Sequence, residues 1–272
     1  MKPKKTVFDI SLAGIGIGGF EQTTLETLEA IKSARIIFHL TEYHQILKKY
    51  CKQVVNLDKE YWTGDEDWLV YEKLADLILD EAKAGPGVVA IGDGHPAFYD
   101  DVTWDVYRRG KKRGLNVRIL SAISCLDAMA ANCGLEINTC GLQIFDANVM
   151  IAGDQKLNPY VDTLIMQIGW FGLTLTLNYE QSRKGRFEPV IKYLTKFYPE
   201  SHRLKIMRAP SENDDSATVI TTKLSALDRY YKTIYQGMCL FIPAIQSEFD
   251  GEYENFYETA KDKEHVLELV EL

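Results

Sequence analysis

Four glycines fall within the six positions Gly14-Ile15-Gly16-Ile17-Gly18-Gly19. From Gly14 the run matches G-x-G-x-x-G, the pattern in which a strand-to-helix turn cradles a pyrophosphate on backbone N–H groups. Glu42 stands 23 residues after Gly19, where a ribose-binding acid would sit in such a site. The other reading is conformational: a tight turn in which glycine avoids Cβ clashes. The run alone leaves both open. A second turn, Gly92-Asp93-Gly94-His95-Pro96, has the same character, and His95 in it reads equally as a hydrogen-bonded turn residue or as a site residue.

Tyr61 and Tyr71, ten residues apart, carry phenols able to donate or accept a proton. Packed on the core with their hydroxyls at the surface, they would be purely structural. No cluster of His, Cys, Asp or Glu has metal-ligand spacing, so no metal is expected. No G-x-S-x-G nucleophile turn occurs. The five cysteines, Cys51, Cys125, Cys133, Cys140 and Cys239, form no C-x-x-C pair. An odd count in a long chain argues against a disulfide framework and for free thiols in a reducing, cytoplasmic setting.

These residues need a frame to hold them. The first half alternates strand and helix signals. Val7–Ala13, Ala34–Leu40, Gly87–Ile91 and Asn116–Leu120 read as buried strands. Gln22–Lys32, Trp68–Ala84, Val102–Arg113 and a segment from Ser124 read as helices. This repetition predicts an α/β fold with a mostly parallel sheet and helices on both faces. After Gly134 strands dominate, at Leu142–Asp146, Thr163–Ile168, Leu204–Met207, Ala217–Thr222 and Met238–Pro243, with one helix near Glu188–Phe197. A second α/β domain with a mixed sheet follows. The expected division is 1–121, 122–247 and an acidic tail 248–272, with a ligand in the cleft between the two domains.

The chain has 272 residues, 46% apolar and 26% charged, enough for a sizeable core. Its net charge is −8, and only Lys2, Lys4 and Lys5 form a small basic start, so a nucleic-acid partner is not expected. The tail acids Glu248, Asp250, Glu252, Glu254 and Glu258 read as a solvated surface. No charged-then-apolar leader and no apolar run of about 20 residues is seen, so neither secretion nor a membrane span is expected.

Several motifs in one order narrow the alternatives. Gly14 and Gly16 are followed by Gln22, Thr23, Leu25, Leu28, Ile31, Ala34 and Ile36-Ile37-Phe38. Val88–Ile91 runs into Gly94-His95-Pro96-Ala97-Phe98-Tyr99, and Val117–Leu120 precedes Ile123-Ser124-Cys125. This order resembles the tetrapyrrole (corrin/porphyrin) methylase family, whose G-D-P turn brings backbone groups close to S-adenosylmethionine (SAM). Histidine in place of that aspartate resembles the borosin-type peptide backbone α-N-methyltransferases, a branch of the fold. Ile123–Asp127 with Asn132–Leu135, Thr139-Cys140-Gly141, Phe145-Asp146-Ala147, Ile165–Gly169 and Phe241-Ile242-Pro243 resemble further segments of that branch. The resemblance covers about residues 8–245.

The resemblance implies a two-domain fold, a homodimer and SAM in the inter-domain cleft. It implies cofactor contacts from Gly14, Gly16, Asp93, His95, Phe98, Tyr99, Ser124, Cys125, Gln167, Ala209 and Pro210. Tyr61 and Tyr71 match two tyrosines of the branch, Tyr71 as base or proton relay and Tyr61 as an orienting donor. Three positions depart from the pattern. Asp67 stands where the branch has an arginine, Asp93 where it has a tyrosine, and Ser121-Ala122 where it has Pro-Gly. A cation near a phenol lowers its pKa, whereas a carboxylate raises it. Asp67 is therefore a candidate catalytic residue of reversed charge. The tail is acidic and lacks an apolar, valine-rich substrate segment, so the expected acceptor is a separate precursor peptide, as in split borosins. Three alternatives remain: a methyltransferase for a small molecule or macrocycle, a non-catalytic SAM-binding partner subunit and, more distantly, an NAD oxidoreductase. The aromatic pair Trp170-Phe171 is expected as an exposed patch covered in the dimer.

Overall fold

The computed structural model describes residues 7–179, 181–211, 216–245, 258–262 and 264. Lys2, Lys4 and Lys5 lie outside them, and of the tail acids named above only Glu258 is described. The first sheet is built from β1 (Ile10–Gly14), β2 (Ile36–His39), β3 (Val54–Asn56), β4 (Val88–Gly92) and β5 (Val117–Ile119). Its order is β3-β2-β4-β1-β5, and every pairing is parallel. Such strands are covered on both faces, which is why they read as unbroken apolar runs. Ile10, Leu12, Ile36, Phe38 and Val88 pack on one side with Leu74, Ile78 and Val106. Ala13, Ile37, Val89 and Ile91 pack on the other with Ile31 and Leu47.

The helices joining these strands are α1 (Leu25–Lys32), α2 (His44–Leu47), α3 (Asp58–Tyr61), α4 (Asp67–Glu81) and α5 (Asp101–Lys112). α1 starts later than its apolar spacing suggests, because Thr24 caps it by accepting the Thr27 N–H at 3.1 Å. α2, β3 and α3 have only three or four residues each, too few to show a period in the sequence.

α6 (Cys125–Cys133) leads into the second sheet of β6 (Leu142–Asp146), β7 (Asp162–Met166), β8 (Arg203–Arg208), β9 (Thr218–Lys223) and β10 (Cys239–Ile242), in the order β6-β7-β10-β8-β9. β6 and β7 are parallel and the rest antiparallel. α7 (Ala147–Ala152) and α8 (Glu188–Leu194) complete the domain, α8 packing on one sheet face with Phe187, Tyr198 and Leu240. On the other face α6 places Met129 and Cys133 against Met166 and Met207, with Ile17 and Phe98 of the first domain against the same cluster. No helix of the described residues is long and apolar enough to cross a membrane.

β7 stops at Met166, two residues short of its expected end. Gln167 turns the chain with φ 58°, a left-handed backbone for a residue with a Cβ. Gly169 then passes the Tyr235 carbonyl so closely that a Cβ would lie 2.0 Å from its oxygen.

Candidate functional site

A cavity of about 650 Å³ opens at the carboxyl ends of β1, β2 and β4, where open parallel sheets place their ligands. The second domain closes it with the turn after β6, the Gln167–Trp170 corner and a strap at 173–176. The strap is pinned across the domains. Thr174 O accepts the Asp67 N–H at 2.9 Å, Thr176 O accepts the Gly64 N–H at 3.1 Å, and Asp65 O accepts the Thr176 N–H at 3.0 Å. Glu66 caps α4 without a side-chain bond, so the Thr174 carbonyl satisfies one of the helix's open N–H groups. Asp67 is thereby held at the cavity wall.

Tyr61, Asp67, Tyr71, Asp93, Phe98, Tyr99 and Gln167 all line this cavity. The two phenols are stacked, ring centroids 6.1 Å apart at 27°. Burial pushes the Tyr71 phenol far above its ordinary value, with the Tyr61 phenol, then Asp67 and Asp101, adding to the effect. Burial also raises Tyr61, against a lowering by the neighbouring Tyr71 hydroxyl. Asp100 is itself raised by burial, while it caps α5 through the Thr103 N–H and hydroxyl, both at 2.9 Å. Tyr71 is therefore a neutral phenol at neutral pH: a donor and relay rather than a resident phenolate.

Tyr99, like Gln167, is held with a left-handed backbone, at φ 56°. Two such residues on one cavity wall mark it as a site that the surrounding packing over-determines.

The other sequence candidates lie off the cavity lining. Gly14, Gly16, His95 and Ser124 form a packed junction beside it. A Cβ on Gly14 would sit 1.9 Å from Gly94 O, and Gly16 (φ 85°) makes an isolated bridge to Gly94. His95 Nδ1 accepts the Ala97 N–H at 3.0 Å, the turn-holding role. Ser124 forms a capping box with Asp127, whose carboxyl is lowered first by the Ser124 hydroxyl and further by His95. Burial raises the Cys125 thiol to about 11, which leaves it unreactive at neutral pH. Ala209 is buried with Met129 and Met166, and Pro210 follows it, half-buried, at the end of β8.

This junction explains the glycine run. Gln22 Oε1 accepts the Gly18 N–H at 2.8 Å, so the loop is filled by the protein's own side chain. Only a single 3-10 turn, Phe20–Gln22, follows the run directly, and α1 begins at Leu25. Glu42 is exposed and absent from the cavity wall. The conformational reading of the G-x-G-x-x-G run is the one the structure supports.

Sequence reasoning missed Trp62 and misplaced Trp170. The two indoles stack 6.2 Å apart at 10° and both line the cavity, while Phe171 packs on the second core. Trp170-Phe171 is thus an internal wall and not the exposed dimer patch expected above. Asp100, Asp101, Asp146 and Asn148 were also missed as lining residues. A signal was present for two of them: Asp100 and Asp146 are the capping acids of α5 and α7, and Asp146 also ends β6.

Comparison with known proteins gives these elements a family. The model for tetrapyrrole (corrin/porphyrin) methylases matches residues 9–228. A methyltransferase/ribosomally synthesized type I borosin cyclic peptide precursor of Mycena rosella is 26% identical over 201 residues, 72% of this chain and 49% of that protein. The methyltransferase/omphalotin A precursor of Omphalotus olearius is 23% identical over 198 residues, 71% of this chain and 47% of that one. The chain thus spans about half the length of the curated relatives it matches. Among solved structures, a uroporphyrin-III-C-methyltransferase from Thermus thermophilus shares the fold with TM-score 0.61 at 14% identity, covering 86% of this chain and 91% of that one. A structure of the Thermus enzyme complexed with S-adenosylhomocysteine has TM-score 0.57 at 14% identity, covering 86% and 96%. The all-parallel first sheet, the mixed second sheet, the cleft between them and the family match over most of the chain lead to one conclusion: this protein belongs to the tetrapyrrole (corrin/porphyrin) methylases, a family of methyltransferases.

Proposed function

We propose that the chain is a SAM-dependent methyltransferase whose acceptor is a backbone amide of a peptide supplied by another chain. The observation that carries this reading is the stacked Tyr61–Tyr71 pair on the wall of the inter-domain cavity. The cavity suits the cofactor. Its volume of about 650 Å³ lies in the range of small-molecule sites, and its carboxylates suit a sulfonium and an ammonium. Gln167, turned into it by a strained backbone, offers an amide to a base edge, and Asp93, Phe98 and Tyr99 supply the adjoining wall. When bound, SAM supplies an electrophilic methyl group.

The chain's own residues must then handle a poor nucleophile, since a peptide nitrogen shares its lone pair with the carbonyl. Tyr61 orients the amide. Tyr71 takes the amide proton in concert with passing its own to Tyr61, which releases its own proton to one carboxylate beside the pair, so both phenols end neutral. The Trp62–Trp170 wall and the strap hold the acceptor and exclude water. A homodimer is part of the same reading. Trp68 and Leu69, 57% and 44% exposed at the start of α4, are the apolar surface it would cover, and sedimentation at micromolar concentration reads it. A second reading, transfer to a small amine or macrocycle, is favoured by the protonated state of Tyr71, because a better nucleophile needs no strong base.

The test is co-expression with the short open reading frames beside its gene, followed by mass spectrometry. Peptides heavier by whole methyl groups, with fragment ions placing them on backbone nitrogens, are expected. Unmodified peptides alongside turnover of SAM on a small amine would replace this reading with the second.

A further inference from the structure

Asn148 is the second residue of α7, and its half-buried side chain leaves the helix to hold a distant turn. Its Nδ2 donates to Trp170 O at 3.4 Å and to Leu173 O at 3.3 Å, and its Oδ1 accepts the Gly172 N–H at 2.8 Å. Residues 170–173 form a type II turn. The Leu173 N–H returns to Trp170 O at 3.0 Å, Phe171 has φ −56° and ψ 127°, and Gly172 has φ 80°. A Cβ on Gly172 would meet nothing within 4 Å, so this glycine answers the turn's positive φ and not a close approach. Asparagine is a weak helix former, but it carries an acceptor and two donors on a short stem. The partners fix its orientation, because the reversed amide would set its oxygen against two carbonyls.

From this clamp an unbroken line of rings runs to the phenols. Trp170 stacks on Trp62 at 6.2 Å, Trp62 meets Tyr61 edge-on at 4.6 Å, and Tyr61 stacks on Tyr71 at 6.1 Å. On the other side of the turn, Leu173 leads into the strap whose Thr174 and Thr176 carbonyls accept the Asp67 and Gly64 N–H groups. We propose that Asn148 is a positioning residue for methyl transfer. By holding three polar groups of one turn it sets Trp170 and the root of the strap, and through Trp62 it sets Tyr61 toward the acceptor. This rests on the reading of Tyr61 and Tyr71 above as the pair that handles the acceptor's proton. The cofactor wall has separate supports: Gly169 against the Tyr235 carbonyl beside Gln167, and the Met129–Met166 cluster behind Phe98. Loss of the clamp therefore loosens the acceptor side and spares the cofactor, and a small misplacement of reacting groups is enough to slow transfer.

The experiment compares the full chain with Asn148→Asp and Asn148→Ala, each saturated with S-adenosylhomocysteine. Asn148→Asp keeps the shape and the acceptor for the Gly172 N–H but turns a carboxylate oxygen toward the Trp170 and Leu173 carbonyls. The four tryptophans, labelled with nitrogen-15, give one indole N–H resonance each, assigned by single Trp→Phe substitutions. In both variants the Trp62 and Trp170 resonances are expected to shift or broaden, while those of Trp68 and Trp104, at the surface on α4 and α5, stay in place. Calorimetry should show SAM affinity within about twofold of the unsubstituted chain, less than the loss of one ordinary hydrogen bond would cause if the clamp served the cofactor. All four indoles unmoved, all four displaced together, or SAM affinity falling by more than about tenfold overturns the proposal. Neither reading needs an acceptor, so both remain decisive if co-expression yields no N-methylated peptide, a result that overturns the amide reading alone. Where the unsubstituted chain does yield N-methylated peptide, Asn148→Asp should yield it about tenfold more slowly or worse, and an equal rate overturns the positioning role.

Discussion

Tyr71→Phe is expected to leave SAM affinity unchanged and to lower methyl transfer to an amide by about 10²-fold or more, the usual scale for losing a general acid-base group. The substitution removes one oxygen. The ring remains stacked on Tyr61 at the cavity wall, so the pocket keeps its shape. What is lost is the hydroxyl that takes and returns the proton. The pH profile carries the same information. Because burial, the Tyr61 phenol and the neighbouring aspartates hold Tyr71 above the ordinary phenol value of about 10, the neutral relay persists through that pH, and the rate should show no break there that tracks ionisation of a free phenol. Stability runs the other way. Tyrosine in the unfolded chain ionises near its ordinary value while the folded phenol does not. The contribution is thus present below about pH 10 and is lost as the pH rises toward the folded value. Rate measurements therefore need a parallel unfolding curve at each alkaline pH. A Tyr71→Phe enzyme with full activity, beside an Asp67→Ala enzyme with none, would transfer the proton chemistry to Asp67 and favour an amine or hydroxyl acceptor.

Gly14→Ala should be the most damaging of the glycine substitutions in the loop. Its Cβ would meet Gly94 O at 1.9 Å and Pro96 Cδ at 2.9 Å. Gly14 is fixed in β1 opposite Gly92, so neither backbone can retreat without breaking the central pairing of the sheet. Overpacking of this kind costs about 1–3 kcal/mol or more, and for a domain of this size each kcal/mol lowers Tm by about 2–4 °C. The turn it displaces leads directly into Phe98 and Tyr99 on the cavity wall, so SAM affinity should fall with stability. Gly18→Ala is the control. Its added Cβ meets only the Gln22 side chain, the nearest atom at 2.5 Å, and that side chain can swing away. Thermal unfolding and SAM titration of the two variants should differ sharply; equal, small effects would mean that the glycine run is not the packed junction described above.

Much of the fold was legible because its strands are buried on both faces and its longer helices carry clear periods. Val88-Val89-Ala90-Ile91 sends alternate side chains to two different cores, and that is why it reads as one apolar run. The short elements α2, β3 and α3 left no such trace, although α3 and the turn after it position Tyr61 and Trp62. The candidate site was legible in part. Tyr61, Asp67 and Tyr71 were singled out by the family resemblance rather than by any local pattern, and the cavity does bring them together. The glycine pattern could not reveal that Gln22 fills its own loop, because a pattern records residue types and not what occupies the space between them. Trp170 was misread for a related reason. Two adjacent aromatics look like an exposed patch until the strap and Trp62 from a distant segment are placed beside them. Contacts made only across the two sheets, such as Thr174 to Asp67, carry no local signal at all.

Isothermal titration calorimetry of the purified chain against SAM, S-adenosylhomocysteine and NAD tests the central claim most directly, because it asks what the cleft was built to hold before any acceptor is known. The expected result is saturable binding of SAM and its demethylated product, with no NAD isotherm and with loss of the SAM signal in Gly14→Ala. Tight NAD binding with no SAM signal would contradict it and return the glycine run to the dinucleotide reading.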